Sequence, residues 1–221
     1  SVLMSKRLAI IIPAYKATFF HETLQSIANQ TCKDFTLYIG DDASPYDIYE
    51  VVKGYEKEIN IVYKRFNENL GGKDLIGQWN RCIDMSCDEE WLWLFSDDDI
   101  MEPNCVALFY KHIASDKESQ LLHFNTDIID NGGILYAKGC PFPLKMTVAN
   151  FFKKRLSNEI FSFAVEYLFT RDLYVREGGF QVFDLAWCSD DATWVKFGRN
   201  KGITTINDNS LVHWRYSGEN I

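Results

Sequence analysis

Four times between residues 8 and 115 the chain repeats one pattern: a short run of large apolar residues, a polar or acidic stop, then apolar residues at helical spacing. "LAIII" (8–12), ended by Pro13, is continuously aliphatic and suits a strand buried on both faces. Phe20, Leu24, Ile27 and Ala28 follow as one helical stripe. "DFTLYIG" (34–40) is followed by Ile48, Val51, Val52 and Tyr55, and "INIVYKRF" (59–66) by Ile76, Trp79 and Ile83. "WLWLF" (91–95) precedes Pro103, suited to a first helical turn where its missing N–H costs nothing, and then Val106, Phe109, Tyr110 and Ile113. Such alternation predicts an α/β fold, a mostly parallel mixed sheet flanked by helices on both faces. Ligands in that architecture bind beyond the carboxyl ends of the strands. Asp41 and Asp42 end one strand; Asp97, Asp98 and Asp99 end another.

The alternation stops after residue 115. "LLHFNTDIIDNGGILYAK" reads as two strands around an Asn-Gly-Gly turn, Val148, Phe151, Phe152 and Leu156 as a short helix, and "EIFSFAVEYLF" as a core strand. With no repeat, linker or low-complexity tract, the expectation is one domain over 1–221, a nucleotide-binding half (1–115) joined to an acceptor half (116–221) through one sheet. The abrupt stop after "WRYSGENI" leads to the expectation of a chain that continues beyond residue 221.

A formal net charge of −8 argues against a nucleic-acid binder, whose affinity comes from neutralising phosphates with Lys and Arg. A phosphate ligand then needs a metal or a local pocket. The six cysteines show neither a disulfide framework nor zinc spacing, which suits reduced thiols in the cytoplasm. No apolar run reaches the ~20 residues that cross a bilayer.

Three adjacent carboxylates repel one another. A turn with a helix cap uses one or two of them; a cation compensates all three, and hard oxygen donors favour Mg²⁺ or Mn²⁺. A receiver-type pocket that phosphorylates an aspartate is disfavoured by the long second half. A dication clamping the diphosphate of a nucleotide fits the acidic chain.

"LAIIIPAYKATFFHETLQSIANQTCKDFTLYIGDDAS", "NENLGGKDLIGQWN" and "WLWLFSDDDIMEPN" together resemble family-two inverting glycosyltransferases with the GT-A fold, the nucleotide-diphospho-sugar transferase architecture. "EGGFQVFDLAWCSDDATWVKFGRNKG" (177–202) resembles the later acceptor and catalytic-base segment of that family. The resemblance implies a metal-dependent inverting transfer from a nucleotide-sugar, most often a UDP-sugar, to a hydroxyl of a glycan or lipid-linked acceptor. It further implies polysaccharide biosynthesis, and a cytoplasmic location at or near the inner face of a membrane.

Residue by residue, the resemblance puts Pro13, Ala14 and Tyr15 at the nucleotide, Asp42 at the base, Gly72 and Lys73 at the phosphates, and Asp97 near the ribose. Asp98 matches the metal-binding position, with Asp99 near the metal or its waters and His213 a metal or diphosphate ligand in a carboxy-terminal segment that folds over the donor. Asp191 matches the base that takes the acceptor proton, with Asp190 as its substitute. Trp79-Asn80 stands where family members often carry Arg-Asn, so a phosphate-contacting arginine is missing from that position. Gly178 and Gly179 resemble the loop that lines the acceptor pocket. Two rivals remain: a nucleotidyltransferase, which would use a glycine-rich basic loop where "PAYKATFF" stands, and a non-catalytic sugar-nucleotide or glycan-binding module.

Overall fold

The computed structural model describes residues 7–181 and 189–217. Its first half follows the expected alternation: β1 (Leu8–Ala14), α1 (Phe20–Ala28), β2 (Thr36–Asp41), α2 (Ile48–Val52), β3 (Ile61–Arg65), α3 (Leu75–Ile83) and β4 (Trp91–Leu94). A two-residue strand, β5 (Ile100–Met101), then intervenes before α4 (Cys105–Ser115). Pro103 lies just ahead of that helix, whose cap position is Asn104.

The aliphatic run of β1 is buried throughout because helices cover both faces. Leu8, Ile10 and Ile12 join one core with Phe20, Leu24, Ile48, Val106 and Phe109. Ala9 and Ile11 face the other, with Ile76, Phe151, Leu173 and Trp194. That split is the period of two along a strand expressed as two hydrophobic layers.

In the second half come β6 (Leu121–Ile129), β7 (Leu135–Ala137), β8 (Lys145–Met146), α5 (Val148–Leu156), β9 (Tyr167–Thr170), α6 (Arg171–Arg176), α7 (Ser189–Phe197) and β10 (Ile203–Arg215). The Asn-Gly-Gly hairpin is present, β6 pairing antiparallel with β7. Only the end of "EIFSFAVEYLF" is a strand. The Glu166 carboxylate accepts the Phe163 N–H at 2.7 Å, closing a 3-10 turn at Ala164–Glu166 where a strand was expected.

Strand order is β3-β2-β1-β4-β9-β6-β10-β5, so one sheet runs through both halves. Parallel pairing is confined to β3-β2-β1-β4 and to β6-β10; β9, β5, β7 and β8 all pair antiparallel. "Mostly parallel" therefore describes the first half, and the second is mixed. The chain builds β1, β2 and β3 to one side, then returns to place β4 on the other side of β1. The gap beyond the tips of β1 and β4 is thus the topological switch point, where α/β sheets leave room for a ligand.

β10 was not expected. Its polar middle, "NDNS", reads as a loop, but Asn207 takes a positive φ of 68° and the ladder to β6 shifts register between Thr205 and Ser210. A bulge carries the polar residues through the strand without breaking it. Among the described residues, no helix is long and apolar enough to cross a membrane.

Candidate active site

At the switch point the tips of β1, β2 and β4 are tied together by acidic side chains. Asp97 accepts the Tyr15 and Lys16 backbone N–H groups on one carboxylate oxygen, at 2.8 and 2.7 Å. Ala14 accepts the Asp42 N–H at 2.9 Å, and the Ser44 hydroxyl donates to the Tyr15 carbonyl at 2.5 Å. Pro13, Ala14, Tyr15, Asp42 and Asp97 are therefore one assembly, with the Tyr15 ring exposed beside it.

The three aspartates differ in what they have left to offer. Asp99 is fully enclosed: one oxygen accepts the Arg215 N–H at 2.8 Å and the other the Ser96 hydroxyl at 2.6 Å. Ser96 also lies 3.1 Å from Asp98, but a hydroxyl has one proton and the shorter contact takes it. Asp98 is thus the member without a committed hydrogen-bond donor. Burial first, then the charge of Asp98, pushes the Asp97 carboxyl up to about 6 and the Asp99 carboxyl well above its usual range.

A buried arginine beside the triplet, Arg215, was not read from the sequence. It is fully buried, donates to the Asp98, Asp130 and Asn131 carbonyls at 3.0 Å, and meets Glu22 at 2.6 Å. Its guanidinium also lies 4.1 Å from the centre of the Phe19 ring. An arginine two residues from His213 in an otherwise apolar "LVHW" run was the available signal.

Asp42 is saturated from within the chain. Its carboxylate accepts the Leu70 and Gly71 N–H groups at 2.7 and 2.9 Å, the Asn69 amide at 3.1 Å and the Arg81 guanidinium at 2.6 Å. Those four donors fill a carboxylate's acceptor sites, which departs from the expectation that this side chain meets the base directly. Gly71 eases this close approach, because a Cβ would sit 2.7 Å from the Asp42 oxygen. Gly72 donates to Asn69 at 3.1 Å, and Lys73 is exposed.

Arg81, two residues on from Trp79, is directed at Asp42 and packed 3.9 Å over Phe66. Asn80 instead ties α3 to the second half, accepting the Tyr174 hydroxyl at 2.6 Å and the Phe180 N–H at 3.1 Å. Gly178 and Gly179, with φ of 79° and 76°, end α6 as left-handed residues. Residues 182–188, which include Cys188, lie outside the described residues.

Asp191 opens α7 and is buried. One oxygen accepts from Arg155 Nε at 2.9 Å; the other, Oδ1, is buried without a hydrogen-bond partner among the described residues. Burial raises this carboxyl, opposed by the Arg155 charge and hydrogen bond and by Ser162. Ser162 lies close enough to lower it as a hydrogen-bond donor; its hydroxyl also meets the Tyr167 hydroxyl at 2.7 Å, a contact in which either oxygen can donate. Asp190, half-buried and beside Asp191, is pushed up to about 6, by desolvation first and then by the Asp191 charge. Arg155 comes from α5, a segment that offered no functional signal in sequence.

His213 is a correction of place. It lies within β10, paired across to Ile100 of β5, and not in a flap over a ligand. Glu102 holds Nε2 at 2.7 Å, and Nδ1 is buried with no partner among the described residues. Alternation along the strand puts His213 on the same side of β10 as Arg215.

No group of three or more His, Cys, Asp or Glu side chains that could hold a metal occurs among the described residues. A cavity of about 630 Å³, lined by Arg7, Glu90, Trp91, Gln120 and Thr170, opens at the opposite end of the strands and contains none of these acids. Its size suits a ligand, but Arg7 is already matched to Glu90 at 2.6 Å, and the strand-tip assembly remains the candidate site.

The sequence profile described as Glycosyl transferase family 2 matches residues 9–170, most of the chain and every strand-tip acid. The chain belongs to glycosyl transferase family 2. Asp191 and His213 lie past the matched range. Its GT-A fold is shared with S. aureus TarS 1–349, which superposes with a TM-score of 0.76 at 16% identity over 95% of this chain and 60% of that one. TarS 1–349 in complex with UDP-GlcNAc gives 0.74 at 17% identity, covering 95% and 58%. The mannosyltransferase PcManGT from Pyrobaculum calidifontis, in complex with GDP-Man and Mn²⁺, gives 0.65 at 15% identity, covering 94% and 56%. In sequence, the GalNAc(5)-diNAcBac-PP-undecaprenol beta-1,3-glucosyltransferase of Campylobacter jejuni is 24% identical over 161 residues, 71% of this chain. The chain spans about half the length of that relative.

Proposed function

We propose that this chain transfers a sugar, with inversion, from a UDP-sugar to a hydroxyl of a glycan or lipid-linked acceptor, with Mn²⁺ or Mg²⁺ held at Asp98. The observation that carries the reading is the Asp191 carboxylate, one oxygen pinned by Arg155 and the other buried without a hydrogen-bond partner among the described residues. An acceptor hydroxyl attacking the anomeric carbon must lose its proton as the new bond forms. A buried carboxylate with one free oxygen can take that proton at Oδ1. Arg155 holds the acid in one orientation, and burial raises its proton affinity toward that of a working base.

On the donor side, the Tyr15 ring is available for stacking on a base, with Pro13 and Ala14 behind it and Asp97 holding the strand tip. Asp42 acts by shaping the 69–71 loop, which leaves Gly72 and the Lys73 ammonium to face a diphosphate. Asp98, lacking a committed donor, fits a hard cation whose other ligands come from diphosphate and water, as Mg²⁺ sites commonly do. Asp99 serves by orienting its neighbours. His213, with Nε2 fixed by Glu102, would offer Nδ1 in the manner of carboxylate-oriented metal ligands. The bound cation would offset charge on the departing diphosphate. UDP, UDP-GlcNAc and GDP-Man with Mn²⁺ in the similar structures support a nucleotide-sugar and a metal, and the undecaprenol-linked substrate of the Campylobacter relative supports a lipid-linked acceptor.

The test is UDP release from a panel of UDP-sugars with Mn²⁺ and with chelator, on the wild-type chain and on Asp191→Asn. Full turnover in chelator overturns the metal assignment. Undiminished turnover in Asp191→Asn overturns the base, and donor binding without any turnover favours the non-catalytic module.

A further inference from the structure

From Asn131 to Asn158 this acidic chain contains no Asp or Glu, while it carries Lys138, Lys145, Lys153, Lys154 and Arg155. The same stretch concentrates exposed apolar side chains. The β6–β7 hairpin presents Ile134 at 68% and Tyr136 at 65% exposure, and α5 presents Phe152 and Leu156. Exposed apolar residues scattered singly need no explanation; several within one acid-free, lysine-bearing stretch of a chain of net charge −8 do.

The aromatic part of this surface is continuous. Tyr136 stacks on Tyr216 at 5.4 Å, Tyr216 meets Trp214 at 6.4 Å, Trp214 stacks on Phe163 at 4.0 Å, and Phe163 meets Phe161 at 6.2 Å. This aromatic stripe joins the hairpin to the segment just after α5. On α5 itself the roles divide: Arg155 reaches inward to Asp191, while Phe152, Lys153 and Leu156 face solvent. Apolar and aromatic groups flanked by lysines are the composition of a surface that settles into the headgroup region of an anionic bilayer.

We propose that the β6–β7 hairpin, the Tyr136–Tyr216–Trp214–Phe163–Phe161 stripe and the outer face of α5 form a docking surface for an anionic lipid bilayer. Docked this way, the surface sets the Arg155–Asp191 pair one helix away from the membrane. An acceptor hydroxyl on a lipid-linked glycan would then reach Asp191 without leaving the bilayer, a consequence that rests on the function proposed above.

The experiment is co-flotation of the 221-residue chain with vesicles of equimolar phosphatidylglycerol and phosphatidylcholine, against pure phosphatidylcholine, at low and high salt. Capture should require phosphatidylglycerol and fall with salt. Lys153→Glu with Lys154→Glu should lower the partition coefficient at least about tenfold, while Lys57→Glu, between α2 and β3, should not. Phe152→Ser with Leu156→Ser should weaken it at every salt concentration. Absence of phosphatidylglycerol-dependent capture overturns the proposal. So does a concentration-dependent dimer abolished by Phe152→Ser with Leu156→Ser, which would assign the patch to a second copy of the chain. UDP-sugar turnover by the lysine variants in solution, measured in parallel, separates the two ideas. Lost capture with intact turnover supports this surface, whereas intact capture without turnover in any form sinks only the transferase reading.

Discussion

The two halves hold their acids in opposite ways. In residues 7–115 the strand-tip carboxylates are consumed by the chain: Asp42 takes four donors, Asp97 two backbone N–H groups, and Asp99 one on each oxygen. In the second half Asp191 is equally buried but keeps one oxygen unbonded among the described residues. Saturated acids build a rigid platform and give up little chemistry of their own. An unsatisfied buried acceptor costs stability, roughly 1–3 kcal/mol, which is the signature of a group kept for a ligand. Asp98 and the second oxygen of Asp97 are the exceptions in the first half, and Asp98 is the one that suits a cation.

The largest effect that would sharpen this contrast is on rate. Asp191→Asn keeps the Arg155 contact and the volume, so turnover should drop by about 10²–10⁴-fold with the melting temperature little changed. A large loss of stability with normal specific activity would make Asp191 another platform acid and erase the difference. Arg215→Met attacks the platform from its hidden cation. It leaves the Asp98, Asp130 and Asn131 carbonyls without their donor, while Glu22 stays half exposed to water, and should cost about 1–3 kcal/mol, read by urea titration.

The Asp190–Asp191 pair predicts a pH dependence of intermediate size. Arg155 on α5 and Tyr167 on β9 face it, and burial lifts Asp190 to about 6. Over the window from about 4 to about 6 the folded chain holds a proton that the unfolded chain has released. Stability from this group therefore falls as pH rises through that window, by roughly 3 kcal/mol, and is level above it. Turnover should show the opposite trend, rising with pH as the carboxylate ionises. Arg155→Gln should move that acid limb upward, since the arginine opposes protonation of Asp191. An unmoved limb would assign Arg155 to packing alone.

Asp42→Asn should cost about 1–3 kcal/mol by weakening the Arg81 contact and the loop bonds, and should raise the donor KM more than it lowers kcat. Gly71→Ala should be milder, about 1 kcal/mol, because the new methyl crowds one Asp42 oxygen on a surface turn. If either variant left donor binding untouched, the 69–71 loop would not belong to the nucleotide site.

Legibility followed sequence distance. Strand runs, helical stripes and the acidic stops of the first half are local patterns, so β1 to β4 with α1 to α4 stood in the sequence, as did the hairpin at Asn131–Gly133 and α5. The polar middle of β10 concealed a strand because its bulge is set by the ladder to β6, and Glu166 turned a hydrophobic run into a 3-10 turn through one contact. Helix α5 was visible, yet nothing in "FFKKRL" marks Arg155 as the partner of an aspartate 36 residues on.

By itself, the sequence determined the α/β alternation, the acids at the strand ends and the family to which they belong, because burial periodicity and turn chemistry act between near neighbours. Only the tertiary structure decided which of those acids are spent. That depends on donors brought from elsewhere in the chain, Arg81 and the 69–71 loop to Asp42, the Arg215 backbone to Asp99 and Arg155 to Asp191. A carboxylate's chemistry is fixed by how many of its lone pairs the fold has already filled.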